Sequence, residues 1–165
     1  PLDVFVVRKL GMPWHEELGM GALASGGVRV LNEDLVRELN VPASEVERVT
    51  RREQRELERR ERLPRGNRPF RDVSGKTVLL IDDGLATGAT MRVAVSALRK
   101  KGAHRVVVGV PVASPDTCDS FRDITDDIIC ILTPEPFYAV GLWYEDFGQM
   151  SDQEVHDLLD RGQAA

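Results

Sequence analysis

Residues 78–90 read Val78-Leu79-Leu80-Ile81-Asp82-Asp83-Gly84-Leu85-Ala86-Thr87-Gly88-Ala89-Thr90. The aliphatic residues that open this stretch are typical of a central parallel strand covered on both faces. Beyond Thr87 the apolar residues recur at i, i+3, i+4 and i+7, which is the spacing of one helix face. They are Met91, Ala94, Val95 and Leu98. The stretch therefore predicts a buried strand, a Gly/Thr loop and a helix, in that order.

The loop between this strand and this helix is a predicted anion site. Backbone N–H groups at the start of a helix have no partner within it, and the helix dipole places about half a positive charge there. Phosphate groups bind at such positions. We expect Gly84 and Gly88 to let the backbone approach the anion, and Thr87 and Thr90 to add hydroxyl donors. A purely structural loop, capped by Asp and Thr, is the alternative interpretation.

Two carboxylates, Asp82 and Asp83, stand at the mouth of this loop. A site for phosphate alone gains nothing from negative charge, so the ligand should also carry hydroxyl donors or a bridging cation. A ribose 5-phosphate meets both demands, because its phosphate suits the loop and its 2- and 3-hydroxyls suit the acids. The stretch resembles the signature of the type I phosphoribosyltransferases, in which an apolar strand and two acids precede a loop of the form LATGAT or TTGAT. The resemblance implies that the loop binds the 5-phosphate of phosphoribosyl pyrophosphate (PRPP) and that the acids bind its ribose.

Strand and helix patterns alternate along the chain, which indicates an α/β fold with a doubly wound, mainly parallel sheet in one domain, residues 1–165. Predicted strands cover residues 4–7, 78–82, 106–112 and 128–132, and predicted helices begin at Ser44, near Thr87, at Ser114-Pro115 and at Ser151. The carboxyl ends of the strands at 4–7 and 78–82 are expected to face one ligand crevice. Residues 11–72 are predicted to be an inserted flap and helical region, with a long Gly-rich loop over 11–27. Its Arg- and Glu-rich helix is predicted to be exposed and linked by ion pairs, or to lie against a partner.

Arg8 and Lys9 follow the predicted strand 4–7. They resemble the basic pair after the second strand of several phosphoribosyltransferases, where a basic residue approaches the pyrophosphate of PRPP. A ligand with several negative charges needs cations opposite it, so the chemistry agrees. Ordinary surface residues are the alternative. The residues expected to bind PRPP are therefore Asp82, Asp83, Gly84, Leu85, Ala86, Thr87, Gly88, Ala89, Thr90, Arg8 and Lys9.

His15 lies in the predicted loop 11–27, where family members carry a mobile flap over the active site. A resemblance to the orotate enzymes implies a His in that flap, and His15 or a neighbouring Glu is expected to transfer a proton. Asp82 and Asp83 are the other residues expected to have catalytic roles. A solvated polar loop is the alternative. The sequence around His15 offers too few further ligands for a zinc site.

An aromatic segment near the carboxyl end resembles the nucleobase pocket of the 6-oxopurine phosphoribosyltransferases. The residues expected to contact a base are Phe137, Tyr138 and Trp143, because flat rings stack well; a structural aromatic cluster is the alternative. The 6-oxopurine enzymes carry an acid near Trp143 and an Asp where Ala86 stands. Ala86 cannot take a proton, so the loop is nearer to that of the adenine- and uracil-type enzymes, and the acceptor base stays open.

The composition is that of an ordinary globular protein, with 42% hydrophobic and 30% charged residues among 165. The net charge of −5 argues against a nucleic-acid surface, and no apolar run approaches the ~20 residues that a membrane span needs. Cys118 and Cys130 lack the spacing of a metal site. We interpret them as buried thiols in a reducing cytosol, with a disulfide as the alternative. A cytoplasmic protein without a protein cage for a metal is therefore expected.

The resemblance implies that a nitrogen nucleophile, a nucleobase or another acceptor, attacks the anomeric carbon of PRPP and that magnesium pyrophosphate leaves. Magnesium is expected to arrive with PRPP, bound by its phosphates and ribose hydroxyls. The alternative is a non-catalytic module that senses PRPP or nucleotides, or an accessory module fused to another enzyme.

In the family, a strand and a second anion loop precede the position of residues 4–7. We therefore expect an amino-terminally incomplete domain that turns over PRPP poorly or not at all by itself. The strands at 4–7 and 78–82 would then either pair directly or accept a segment of another chain, which would make a homo-oligomer obligatory.

Overall fold

The computed structural model describes residues 2–66 and 68–164. Its strands and helices, in chain order, are β1 (Val7–Met12), β2 (His15–Ala24), β3 (Val28–Leu31), α1 (Glu33–Glu38), α2 (Ala43–Arg65), β4 (Thr77–Ile81), α3 (Ala89–Lys100), β5 (Arg105–Val112), α4 (Pro115–Phe121), β6 (Asp127–Leu132) and α5 (Asp152–Ala164). A short 3₁₀ helix covers Val140–Trp143. The chain divides into two compact units: the first is Pro1–Arg71 with Met150–Ala165, and the second is Asp72–Gln149.

The first unit contains an antiparallel sheet in the order β1-β2-β3. The Gly-rich segment 11–27 forms much of this sheet, so the prediction of a long loop there is wrong. Two glycines explain the difference, because each lies where a neighbouring strand comes very close. A Cβ at Gly11 would lie 2.4 Å from the carbonyl oxygen of Glu16, and a Cβ at Gly21 would lie 2.3 Å from that of Val30. Glycine here permits strand pairing rather than loop freedom.

Helix α2 packs on this sheet. Its few apolar residues, Val46, Val49 and Leu57, are buried in one core with apolar residues of β1 and β2. Elsewhere the helix carries ion pairs such as Arg59 with Glu56. The predicted ion pairs of an Arg- and Glu-rich helix are therefore confirmed, and the sparse apolar residues form the stripe that holds the helix to the sheet.

The first strand differs from its prediction. It begins at Val7, so Arg8 and Lys9 lie within β1 instead of after it. β1 pairs with β2, while β4 belongs to a different sheet. The prediction that strands 4–7 and 78–82 pair directly is therefore wrong, and a ligand crevice shared by their carboxyl ends stays a prediction. The physical reason is that the hydrogen-bonding partner β2 sets the bounds of this strand, and the apolar run 4–7 does not reveal that partner.

The second unit consists of two successive βαβ segments, with a parallel sheet in the order β4-β5-β6. Helix α3 begins where the change of hydrophobic period predicts it and buries its apolar face. Helix α4 begins at Pro115 behind Ser114, whose hydroxyl accepts a hydrogen bond from the N–H of Thr117, as the sequence predicts. The α/β class and the parallel sheet are confirmed.

Among the described residues, one face of this parallel sheet is covered and the other is open. Leu80, Val108 and Ile128 are paired in register across the three strands and are at most 8% exposed. Leu79 and Ile81 alternate with Leu80 and are 58% and 66% exposed. The prediction of a strand covered on both faces is therefore wrong, because a run of aliphatic residues does not report what packs on each face.

Cys118 of α4 and Cys130 of β6 form a disulfide, so the prediction of two thiols is wrong. The two residues stand on successive elements that pack together, and their spacing in sequence does not reveal this contact.

The last helix, α5, follows Ser151, whose hydroxyl accepts from the N–H of Glu154 at 3.3 Å. Leu159 is buried, whereas Leu158 is 46% exposed. In the part of the chain that the structure describes, no helix has the length and hydropathy of a membrane span.

Candidate functional site

The residues between β4 and α3 form the candidate site, within the second unit. Helix α3 starts after Gly88, which has a φ of 69°, and no side chain caps this helix start. Several backbone N–H groups of the loop have no hydrogen-bond partner among the described residues. Those nearest the helix start are the N–H groups of Ala86, Thr87, Gly88 and Thr90. Free N–H groups at the positive end of a helix dipole are suited to an anion.

Leu85 fixes this loop to the sheet. Its N–H donates to the carbonyl of Val112 at 2.9 Å, and its carbonyl accepts from the N–H of Ser114 at 3.1 Å. Its side chain is buried. Leu85 was predicted to bind PRPP, but both its backbone groups already have partners, so the structure gives it an anchoring position.

The two glycines of the loop have packing reasons of their own. A Cβ at Gly84 would lie 2.7 Å from a methyl carbon of Val140, and a Cβ at Gly88 would lie 2.5 Å from the ring of Phe121. A side chain at Gly88 is also disfavoured by its positive φ. Neighbouring side chains therefore require glycine at both positions, whatever the loop binds.

Asp82 and Asp83 follow β4 directly. The N–H of Asp83 donates to the Asp82 carboxylate at 3.0 Å. Desolvation raises the pKa of Asp82 above its ordinary value; the hydrogen bond from Asp83 opposes this rise, and the negative charge of Asp83 adds to it. None of the ion pairs that the structure describes includes either carboxylate. The pair is therefore chemically suited to hydroxyl donors or to a hydrated cation.

The aromatic segment reaches these acids through Tyr144, which the sequence analysis did not single out. The Tyr144 hydroxyl donates to the backbone carbonyl of Asp83 at 2.6 Å. Desolvation, and then the negative charges of Asp83 and Asp82, raise the pKa of Tyr144. The only signal in the sequence is that residues 137–147 are rich in aromatics, which does not tell which ring faces the loop.

The three rings predicted to contact a base are partly or largely exposed to solvent. Phe137 is half-buried, while Tyr138 and Trp143 are 78% and 43% exposed. Tyr144 packs against Phe147, with 5.1 Å between the ring centroids. A stacking role for Phe137, Tyr138 or Trp143 stays a prediction.

Helix α4 also contacts the loop. The Thr117 hydroxyl donates to the carbonyl of Ala86 at 2.7 Å, and Phe121 packs beside Gly88. Neither contact can be predicted from the sequence, because a local sequence pattern carries no information about a loop and a helix that are far apart along the chain.

The remaining candidates, Arg8, Lys9 and His15, belong to the first unit. The Arg8 guanidinium binds Glu53 through Nη2 at 2.6 Å and Nε at 3.1 Å, and the Glu53 side chain is 7% exposed. Lys9 is exposed within β1, and His15 accepts a hydrogen bond at Nδ1 from the N–H of Leu18 at 3.2 Å. Arg8 therefore has a structural partner, and contacts of these three residues with a ligand remain predictions.

No three His, Cys, Asp or Glu side chains within residues 2–66 and 68–164 are arranged to hold a metal ion. The second unit thus combines an uncapped helix start, two adjacent carboxylates and an aromatic segment that is hydrogen-bonded to the backbone carbonyl of Asp83.

The sequence of this chain is similar to those of known proteins. A model of the phosphoribosyl transferase domain matches residues 22–135. A Mycobacterium tuberculosis protein named "Putative phosphoribosyl transferase", known from strains CDC 1551 / Oshkosh and H37Rv, is 44% identical over 161 residues. This match covers 98% of the chain but 36% of that protein, so the chain spans about a third of the length of these curated relatives.

A solved structure is also similar to this chain. The crystal structure of TT1426 from Thermus thermophilus matches with a TM-score of 0.81 and 39% sequence identity, over 96% of this chain and 74% of that one. The domain match includes β4, the loop and α3, which together carry the candidate site. The chain therefore belongs to the type I phosphoribosyltransferase family.

Proposed function

We propose that this chain binds PRPP at the loop 84–90 and transfers its phosphoribosyl group to a nitrogen acceptor with release of pyrophosphate. One observation carries the proposal: the loop has unpartnered N–H groups beside two carboxylates, Asp82 and Asp83, that no described ion pair neutralises. A ribose 5-phosphate offers the complementary groups, an anionic phosphate and neighbouring hydroxyl donors.

The chemistry needs positioning and charge stabilisation. The bond between the anomeric carbon and a pyrophosphate oxygen breaks, and a bond to the acceptor nitrogen forms. Positive charge develops on the ribose during this exchange, so the carboxylates of Asp82 and Asp83 stabilise it electrostatically. The loop amides hold the 5-phosphate and thereby fix the ribose relative to its partners. His15 remains the predicted proton-transfer group.

Magnesium fits this site as an ion that arrives with the substrate. It prefers oxygen ligands, keeps several waters and usually binds through one or two carboxylates together with substrate phosphates. Asp82 and Asp83 are the carboxylates beside the loop, and they would help to hold it. The ion would neutralise charge on the departing pyrophosphate.

A PRPP-sensing or accessory module is the second candidate. The chain matches 36% of its curated relatives' length. This observation favours a module that acts within a longer protein.

Calorimetry with PRPP, together with pyrophosphate release across a panel of nucleobases, separates these functions. We expect PRPP binding that Asp83→Asn weakens and that Asp123→Asn, a change to an acid outside the site, leaves unchanged. Release of pyrophosphate with one base supports the transferase, and tight binding without release supports the sensor. Absence of PRPP binding contradicts both.

Other expectations remain predictions. They are that residues 1–165 act as one domain, that the protein is a cytoplasmic homo-oligomer, and that it binds neither nucleic acid nor membranes. One reason to expect a cytoplasmic location is the interpretation of Cys118 and Cys130 as reduced thiols. Because the two residues form a disulfide, and disulfides persist mainly in oxidising compartments, that reason no longer holds.

A further inference from the structure

Helix α4 holds the carbonyl group of Ala86. Thr117 Oγ1 donates to this oxygen at 2.7 Å, and Ser114 Oγ lies 3.4 Å from it. Ser114 Oγ also donates to Thr117 Oγ1 at 2.8 Å. Since each hydroxyl has a single proton, the shorter distances favour one chain of hydrogen bonds, from Ser114 to Thr117 to Ala86.

This chain of bonds fixes the direction of the next N–H group. In a trans peptide, the carbonyl and the following N–H lie in one plane and point in opposite directions. Because the Ala86 carbonyl points to Thr117, the N–H of Thr87 points away from α4. No partner for this N–H is found among the described residues. If the peptide turned over, its carbonyl oxygen would face a bound anion in place of a donor.

The helix that carries Thr117 is itself held in place. Cys118 is linked to Cys130 of β6, and Phe121 is 0% exposed. The Phe121 ring also fills the space beside Gly88, where it would lie 2.5 Å from a Cβ. The loop therefore touches α4 at two points, and Thr117 supplies the polar one.

We propose that Thr117 is a positioning residue for anion binding: its hydroxyl holds the Ala86–Thr87 peptide in the orientation that presents the Thr87 N–H to the ligand's phosphate. This proposal rests on the proposed function, in which that phosphate belongs to a ribose 5-phosphate. Thr117 acts through the peptide and not by touching the ligand. Its loss should therefore weaken phosphate binding without changing how Asp82 and Asp83 meet the ribose.

The test is a calorimetric titration of the chain and its variants with inorganic phosphate. Thr117→Val keeps the shape of the side chain and removes the hydroxyl, and we expect its Kd for phosphate to rise about five- to tenfold, the scale of one hydrogen bond. Thr117→Ser keeps the hydroxyl and should stay within about twofold of the original chain.

Thr125→Val is the matched control. The Thr125 hydroxyl donates to the Phe121 carbonyl at 2.8 Å, which is a bond of the same kind that does not touch the loop. We expect this variant to bind phosphate as the unchanged chain does. A Kd that is unchanged in Thr117→Val, or raised equally in Thr125→Val, overturns the proposal.

Amide NMR spectra separate positioning from general damage. Phosphate should shift the Thr87 amide resonance in the unchanged chain and in Thr117→Ser, but not in Thr117→Val, whereas the Thr90 amide should respond in all of them. A Thr87 response that survives in Thr117→Val contradicts the proposal.

If Thr117→Val does not fold, Ser114→Ala takes its place, because it removes the group that orients the Thr117 hydroxyl. We expect about a two- to threefold weaker phosphate affinity, and an unchanged affinity overturns the proposal. If the unchanged chain binds neither phosphate nor PRPP, the proposed function fails and this inference fails with it. Binding by the unchanged chain and equal binding by the variant reject this inference alone.

Discussion

The two units differ in whether their neighbouring charged side chains form ion pairs. In the first unit, Arg8 and Arg52 both pair with Glu53, whose side chain is 7% exposed. In the second, Asp82 and Asp83 stand side by side, and no described ion pair includes them. A buried charge must be paired to be tolerated, whereas adjacent like charges raise each other's cost. The first arrangement serves the fold, and under the proposed function a ligand supplies donors or a cation to the second.

The largest expected effect comes from breaking the buried pair. Arg8→Met leaves Glu53 paired with Arg52 alone. We expect the free energy of unfolding to fall by about 2–3 kcal/mol, because the remaining partner keeps the loss below that of a buried charge with no partner. Denaturant titration measures it. Arg37→Met, which breaks an exposed pair with Asp34, should change stability little.

The outcome also tests the alternative role of Arg8. A large loss of PRPP affinity with unchanged stability would show that Arg8 serves the pyrophosphate and would remove the contrast between the two units.

The next effect concerns the unpaired acids. Asp83→Asn should weaken PRPP binding by about 1.5–3 kcal/mol, the scale of a hydrogen bond to a charged group. Binding of inorganic phosphate should change little or improve, because a nearby negative charge is removed. Calorimetry with both ligands checks this. An equal loss for both ligands would mean that Asp83 supports the loop and not the ribose.

A smaller effect is expected at the hydroxyl that holds Asp83. Tyr144→Phe removes the hydrogen bond to the Asp83 carbonyl, and we expect the free energy of unfolding to fall by about 1 kcal/mol. Tyr138→Phe is the control, since that side chain is 78% exposed. Thermal melts of the two variants measure the difference, and equal melting temperatures would contradict this hydrogen bond.

The smallest effect is a pH dependence at Asp82. The pKa of Asp82 is higher in the folded chain than in the unfolded chain, so its negative charge lowers the free energy of unfolding at pH values above the folded pKa. At pH values where the carboxyl is protonated in both the folded and the unfolded chain, it has no such effect. Asp82→Asn should therefore stabilise the chain at neutral pH, and the gain should disappear below pH 3.8, the ordinary pKa of an aspartate. Urea titrations at neutral pH and below pH 3.8 measure the free energy of unfolding of the two chains. A stabilisation by Asp82→Asn that persists at the lower pH would contradict the raised pKa.

Residues 78–90 could be interpreted from sequence because strand, loop and helix each carry a local signal and follow one another directly. Residues 11–27 could not, because glycine signals loop freedom in one context and close strand approach in another, as Gly11 and Gly21 show. The open face of β4 also escaped prediction, since Leu79 and Ile81 are apolar whether covered or exposed.

The part of the candidate site that is continuous in sequence could be predicted. The side chains that reach it from distant elements could not. Asp82 and Asp83 stand beside the predicted loop, but Tyr144 and Thr117 reach it from far along the chain. Arg8 shows the same limit, because its partner Glu53 is 45 positions away and decides whether the guanidinium is structural.

The disulfide between Cys118 and Cys130 has a consequence for limited proteolysis. Arg122 is exposed and is the one basic residue between the two cysteines, so trypsin is expected to cut after it. Both pieces would stay joined through sulfur, and the nicked chain would be heavier than the intact one by a single water. The pieces would part only when a reductant is added, so a comparison of reduced and unreduced digests by mass spectrometry reads out the cut and the bridge together.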